Sequence, residues 1–468
     1  MPRQRLRGDD GNRTHVQGFA GPCLNHSATS PQHCRGSATA TTLQQRPLKV
    51  TAISVVCHAE RMRRLLPILP LILMVASCSS GGTADTSNAA STTVNGSGST
   101  TPTTPATVEA TSTEAPTTAA TTTTLDPAAA ALALSEPGPY PVGVTTMSLA
   151  KGPEVEVWYP AVIGSTGTVT YDIRDFVPPA VTALLTADVP ATYTFDGERD
   201  AALSDGAFPV VLFSHGFTGM RLQSSFLTAH LASWGMIVVS PDHPSRNLFG
   251  VLGGTATGDR ADSVDDLLQS LNLITAANAD TSSPFAGHVD VDHVAAVGHS
   301  AGGGTVMDAA ADERIDGYVS LASGNLGEAT QPDKPSFFMA GTNDQIVSAQ
   351  DVTLAAFNSA TSPSLFWQID QVGHNGFDDF CTFGNGTGII GIAEASGLGP
   401  VLDGNPQLRT LGQDGCLPPN APVEQAFPII RHAVTAWLRG LLGIDANPVQ
   451  LGPDLQNAYD LPVTIQQK

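Results

Sequence analysis

The sequence predicts an α/β fold, a mostly parallel central sheet with helices on both faces, and three observations carry that expectation. From about residue 143 onward, strand-like runs and helix-compatible stretches follow one another in regular order. Several of the runs are continuously apolar, as strands buried on both faces of a parallel sheet should be. The third observation is a shift in composition. Residues 79–135 are dominated by Thr, Ser, Ala and Pro, which leaves 136–468 as a length suited to one large domain.

The elements follow in order. Val155–Tyr159 alternates and then meets Pro160. Pro209–Ser214 (PVVLFS) is a short apolar run bounded by Pro and Gly, Ser224–Trp234 fits an amphipathic helix, and Met236–Ser240 (MIVVS) reads as the next strand. Asp262–Ile274 carries apolar residues at Val264, Leu267, Leu268 and Leu271, a helical spacing. Val294–Val297 is a strand leading into Gly298, followed by a helix from Ala301. Tyr318–Leu321, Phe337–Met339 and Leu365–Ile369 are further strands, and a helix over Glu424–Leu442 closes the chain. In such sheets ligands sit at the carboxyl ends of the strands.

The regions before the body read differently. Met62-Arg63-Arg64 precedes an apolar run, Leu65–Ala76, ending in Val75-Ala76-Ser77-Cys78. A basic start, a short apolar core and a small-residue end describe a secretory signal over 62–78. Cys directly after Ala-Ser resembles a bacterial lipobox, with Cys78 as the lipidated residue of an exported, cell-membrane-anchored lipoprotein. A transmembrane anchor needs about 20 apolar residues, and this run is shorter and interrupted by Pro67 and Pro70. Residues 79–135 cannot bury enough apolar surface to offset chain entropy and read as a disordered tether. Export signals normally start a chain, so residues 1–61 read as an over-extended gene start, with translation beginning at Met62.

Charge excludes one class of partner. Residues 136–468 hold 36 Asp plus Glu against 12 Lys plus Arg, a surface that repels phosphate backbones and disfavours nucleic acid. Cys381 and Cys416 are the two cysteines of the body, and in an exported domain they point to one disulfide. No C-x-x-C pair supports zinc, and Asp290, Asp292 and His293 cluster on an incoming strand whose successive residues face opposite ways, so no metal and no cofactor is expected.

The chemistry concentrates in a few short segments. Gly298-His299-Ser300-Ala301-Gly302 matches G-x-S-x-G; alone the pentapeptide is weak, but it lies between a strand and a helix, the setting of a nucleophile elbow. Small residues at 298 and 302 let neighbouring backbone pass close to Ser300. Serine at neutral pH needs a base. In the chain order Ser, acid, His, only His374 and His432 qualify. His432 lies within the terminal helix, whereas His374 sits in the Gly-flanked loop Val372-Gly373-His374-Asn375-Gly376 beyond a strand, an exposed and mobile setting, and is the expected base. Of nine carboxylates between Ser300 and His374, Asp344 occupies the loop that ends a strand and is the expected acid, with Asp370 as the alternative. Asp308, Asp312, Glu313 and Asp316 fall on or near the helix after the elbow, and Asp351 opens a helix where it complements the dipole. An acyl-transfer site also needs two donors for a developing oxyanion. The backbone N–H of Ala301 is one; the other is that of Phe217, in Ser214-His215-Gly216-Phe217-Thr218-Gly219, with His215 given a structural hydrogen bond.

With these residues in view, the chain resembles the α/β-hydrolase superfamily, in particular its platelet-activating-factor acetylhydrolase-like and dienelactone-hydrolase-like esterases. The segments that carry the resemblance are PVVLFSHGFTG (209–219), HLASWGMIVVSPDHP (230–244), HVAAVGHSAGGG (293–304), SFFMAGTNDQIV (336–347) and VGHNGF (372–377). It implies an α/β-hydrolase fold, a triad of Ser300, Asp344 and His374, oxyanion donors at Phe217 and Ala301, and a serine carboxylic-ester hydrolase acting on small or lipid-like esters. Similarity to bacterial polyester hydrolases is looser. An acyltransferase, or a tethered binding protein that keeps the shell of a hydrolase, are the alternatives. Residues 161–207 and 377–423 depart from the pattern, as borders of the pocket or as surface decoration.

Overall fold

The computed structural model describes residues 132–324 and 331–468. The signal segment, Cys78, residues 1–61 and most of the 79–135 tether lie outside the described residues. The body begins slightly before the boundary read from composition: Leu134 is buried and its carbonyl lies 2.9 Å from His230 Nε2.

Twelve strands are described: β1 Val142–Ser148, β2 Glu154–Pro160, β3 Thr168–Asp172, β4 Thr192–Asp196, β5 Glu198–Arg199, β6 Phe208–Ser214, β7 Ile237–Pro241, β8 Val289–His299, β9 Gly317–Leu321, β10 Ser336–Gly341, β11 Ser364–Ile369 and β12 Val463–Gln467. Ten form one sheet in the order β12-β11-β10-β9-β8-β6-β7-β2-β1-β5, and β3 pairs with β4 outside it. From β11 to β7 every pairing is parallel, while β12, β2 and β1 join antiparallel at the flanks. The predicted parallel sheet is therefore its central six strands.

The α-helices of five or more residues are α1 Ser225–Ser233, α2 Leu248–Gly253, α3 Arg260–Ala279, α4 Ala301–Ala309, α5 Ala355–Ser359, α6 Gly388–Ala395, α7 Gly399–Asp403, α8 Pro406–Gln413 and α9 Val423–Leu441. One core packs α1 and α9 on one face of the sheet, through Phe226, Leu231, Ile430 and Val434. The other packs α3, α4 and α5 on the opposite face, through Leu267, Leu271, Met307 and Phe357. Both faces are covered, so the strands read as apolar runs.

Three sequence expectations change on folding. The amphipathic pattern of Ser224–Trp234 does not give α1 a solvent face: every residue from Ser225 to Ser233 is buried, because α9 and the segment entering β1 cover what the sheet does not. The alternation in Val155–Tyr159 does not point Glu156 to water either; it is buried and paired with Arg199 at 2.5 Å. The third change concerns β8, which starts five residues earlier than the apolar run, at Val289. Its register against β6 shifts between Pro209 and Val210, where a residue without an N–H breaks the ladder. Helix α3 is longer than its apolar spacing because a capping box starts it, Asp259 accepting from the N–H of Asp262 while the Asp262 side chain accepts from that of Asp259.

A candidate active site at the carboxyl edge

The parallel strands β6, β8, β10 and β11 end on one edge, and each hands a loop to the same place. The turn out of β8 carries Ser300 at φ 55°, ψ −122°, a conformation that costs a non-glycine residue of order 1–3 kcal/mol. The strain persists because neighbouring backbone leaves no alternative. A Cβ on Gly302 would lie 1.9 Å from the Ser214 carbonyl oxygen, and one on Gly298 would lie 2.3 Å from that of Gly302. Thr218, Ala322 and Gln371, which follow β6, β9 and β11, also adopt positive φ, so four of the six described non-glycine residues with positive φ follow strands that end on this edge.

Ser300 Oγ lies 2.9 Å from His374 Nε2, and His374 Nδ1 lies 2.9 Å from Asp344 Oδ2. The other carboxylate oxygen of Asp344 accepts the N–H groups of Ile346 (2.8 Å) and Val347 (2.7 Å), which fix its plane. With Nδ1–H donating to Asp344, Nε2 carries a free lone pair facing the serine hydroxyl. Burial pulls the His374 pKa down, but Asp344, Asp378 and Asp414 together outweigh it and leave the imidazole above its ordinary value.

The loop is not the exposed one the Gly-flanked sequence predicts. His374 is only 1% exposed. Asp414, at the end of the excursion that follows, accepts from the His374 N–H (3.1 Å) and the Gln345 N–H (2.9 Å) with one oxygen, and so joins the base loop to the acid loop. Burial raises the Asp414 pKa, against the pull of these two N–H donors. Asn375 donates from Nδ2 to the Leu411 carbonyl at 2.8 Å. Cys381 and Cys416 form the expected disulfide across this excursion, with Cα atoms 5.1 Å apart. Residues 377–423 thus border the site: Phe380 and Leu411 join Phe217, Asn375 and Ser300 in lining a narrow space of about 10 Å³. The insertion 161–207 contributes instead to a larger cavity of about 800 Å³, which holds none of Ser300, His374 or Asp344.

The remaining candidates lie elsewhere or play other parts. The N–H groups of Phe217 and Ala301 donate to no acceptor among the described residues, and Phe217 is itself 38% exposed. His215 is buried, its Nδ1 2.8 Å from the Gly216 carbonyl and its Nε2 accepting from the His243 N–H. His432 is buried against Tyr459 in the core, where burial lowers its pKa to about 4. Asp370 accepts from Thr342 Oγ1 and stays away from His374. Asp308 pairs with Arg260, Asp312 with Arg314, and Asp351 with Ser348 at its own helix start. His293 pairs with Asp290, and no metal-holding cluster occurs among the described residues.

A second Ser-His-Asp constellation escaped the sequence reading. Ser214 Oγ lies 2.9 Å from His243 Nε2, and His243 Nδ1 3.0 Å from Asp266 Oδ2. Ser214 and His243 are wholly buried, and Arg246 Nη2 donates to the Ser214 hydroxyl. This arrangement ties β6, β7 and α3 together and has no access.

Comparisons agree with this architecture. A ferulic acid esterase from Streptomyces cinnamoneus superposes with a TM-score of 0.52 at 19% identity, over 71% of this chain and 99% of that one. The chain has the α/β-hydrolase fold. Two family models match the α/β-hydrolase body: one described as PET hydrolase-like over residues 200–396, and one described as platelet-activating factor acetylhydrolase, isoform II, over 151–248. The esterase YjfP of Escherichia coli (strain K12) is 33% identical over 98 residues, 20% of this chain and 35% of that protein, so the match spans about a third of that relative.

Proposed function

We propose that the protein is a serine carboxylic-ester hydrolase, exported and held at the cell membrane by a lipid on Cys78. The observation that carries the reading is the continuous Ser300–His374–Asp344 chain, with both links at 2.9 Å and the serine on a strained strand-to-helix turn. His374 takes the proton as Ser300 Oγ attacks the ester carbonyl, and Asp344 holds the imidazole in the required tautomer and stabilises the imidazolium. The N–H groups of Phe217 and Ala301 receive the oxyanion. His374 returns the proton to the leaving alcohol, water then replaces it, and the acyl-enzyme is hydrolysed through the same proton path. The chemistry asks for no cofactor. The esterase names among its relatives support an ester substrate, and the narrow space that Ser300 lines favours a small acyl group. Transfer to an alcohol acceptor is the same chemistry with a different second nucleophile.

On a panel of p-nitrophenyl esters of graded chain length, kcat should be highest for the shortest acyl groups, and Ser300→Ala should lose about 10⁴-fold or more. A Ser300→Ala variant hydrolysing at the native rate would end the reading.

A further inference from the structure

We propose that Gln223 is a positioning residue that locks the oxyanion loop to the base loop, with Asp378 and His299 as its partners; the proposal rests on Ser300 being the nucleophile. All three side chains are at most 2% exposed. Gln223 Oε1 lies 2.6 Å from the Gly216 N–H. That backbone group can only donate, so this end of the amide is the oxygen and the other end is the NH₂. Its two hydrogens match two acceptors, Asp378 Oδ2 at 2.8 Å and His299 Nδ1 at 3.0 Å. His299 Nδ1 is then unprotonated, which places the ring hydrogen on Nε2, 3.2 Å from the His374 carbonyl oxygen. The other oxygen of Asp378 accepts from the Phe380 N–H at 2.9 Å, and the Gln223 carbonyl accepts from the Asp379 N–H at 2.8 Å. One arrangement of protons satisfies every group. It runs unbroken from Gly216 to the backbone of His374.

The consequence falls on the proposed oxyanion donor. The Gly216 carbonyl and the Phe217 N–H belong to one planar peptide and point in opposite directions. The carbonyl is engaged by the His215 ring (2.8 Å) and by the Gly219 N–H (3.2 Å), while Gln223 holds the N–H on the preceding side of the residue. The aim of the Phe217 N–H is thereby fixed. Gly216 fits closely in this arrangement: a Cβ there would sit 3.2 Å from Ser300 Cβ, tight enough that the serine would have to give by a few tenths of an ångström, and 3.4 Å from both Gln223 Nε2 and His299 Nδ1. His299, one of the two residues that the G-x-S-x-G pattern leaves unspecified, has a role in this network that the pentapeptide does not reveal. Burial pushes its pKa well below the ordinary value and keeps the ring in the neutral form that the pattern needs.

The test exchanges the amide and the carboxylate. Gln223→Glu keeps an acceptor for Gly216 but sets a second carboxylate against Asp378, so the pair must share a proton. We expect kcat/KM to fall about 30-fold at pH 8, less at pH 6 where the shared proton is retained, with KM within about two-fold. The double variant Q223E/D378N restores a donor–acceptor pair between positions 223 and 378 with its direction reversed but leaves His299 Nδ1 facing a carboxylate oxygen, so it should recover part of the loss, ending at least about three-fold above Q223E at pH 8. Gln223→Met keeps volume without the bonds; it serves should Q223E fail to fold, and should lose at least about ten-fold in kcat. Native kcat in Gln223→Met, or a pH-independent loss in Q223E that the exchange does not rescue, would overturn the proposal. Ser300→Ala is assayed alongside: activity in that variant refutes the nucleophile, whereas its inactivity beside fully active Gln223 variants refutes the positioning role alone.

Discussion

His374 is the residue on which the proposed chemistry turns, and its surroundings give it a testable signature. Burial favours the neutral imidazole, yet Asp344, Asp378 and Asp414 override burial and raise its pKa above 6.5. A base must be unprotonated to accept the serine proton, so activity is present above that raised pKa and is lost as pH falls through it. The acid limb of kcat/KM should therefore have its midpoint above 6.5, and Asp414→Asn should move it downward; a native limb below the ordinary histidine value would contradict the electrostatics. Ser300, His374 and Asp344 were legible in the sequence because chain order and strand ends restrict where they can lie. Gln223, Asp378 and Asp414 were not. Each works through backbone N–H groups or a buried amide, contacts that obey no spacing rule. Asp414 alone had a hint beside it, in the cysteine two positions on.

At the scale of elements, the strand–helix alternation from β6 to β11 was readable because strands buried on both faces are continuously apolar. The flanking β1, β5 and β12 were not, since each is short or partly exposed and gains its place only by pairing with a neighbour. The excursion holding α6, α7 and α8 is the least regular part and the most consequential. It carries Asp414 to the base loop and Leu411 to the space that Ser300 lines, and Cys381–Cys416 closes it across 35 residues. A bond closing a loop of that length contributes about 4 kcal/mol in the chain-entropy view. Cys381→Ser with Cys416→Ser should lower the melting temperature and reduce kcat more than a stability loss alone predicts, because the Leu411 lining and the Asp414 clamp loosen together. Unchanged kcat at a temperature where the variant is fully folded would separate the disulfide from the site.

For the whole molecule, the proposed anchor defines where the catalyst works. The excess of acidic groups in residues 136–468 would be repelled by anionic headgroups. Cys78→Ser should move the protein from the membrane fraction to the soluble exported fraction with esterase activity intact. Retention in membranes would remove the lipid anchor from the proposal.

The sealed Ser214–His243–Asp266 constellation has a consequence for chemical labelling. It reproduces the spacing of the proposed reactive triad, yet its hydroxyl is engaged by Arg246 and no solvent path reaches it. A fluorophosphonate reagent offered in excess should stop at one equivalent per chain, on Ser300, and the Ser300→Ala variant should take up none. Two serines stand within reach of a histidine and a carboxylate here, and the reagent would count only the one that water can visit.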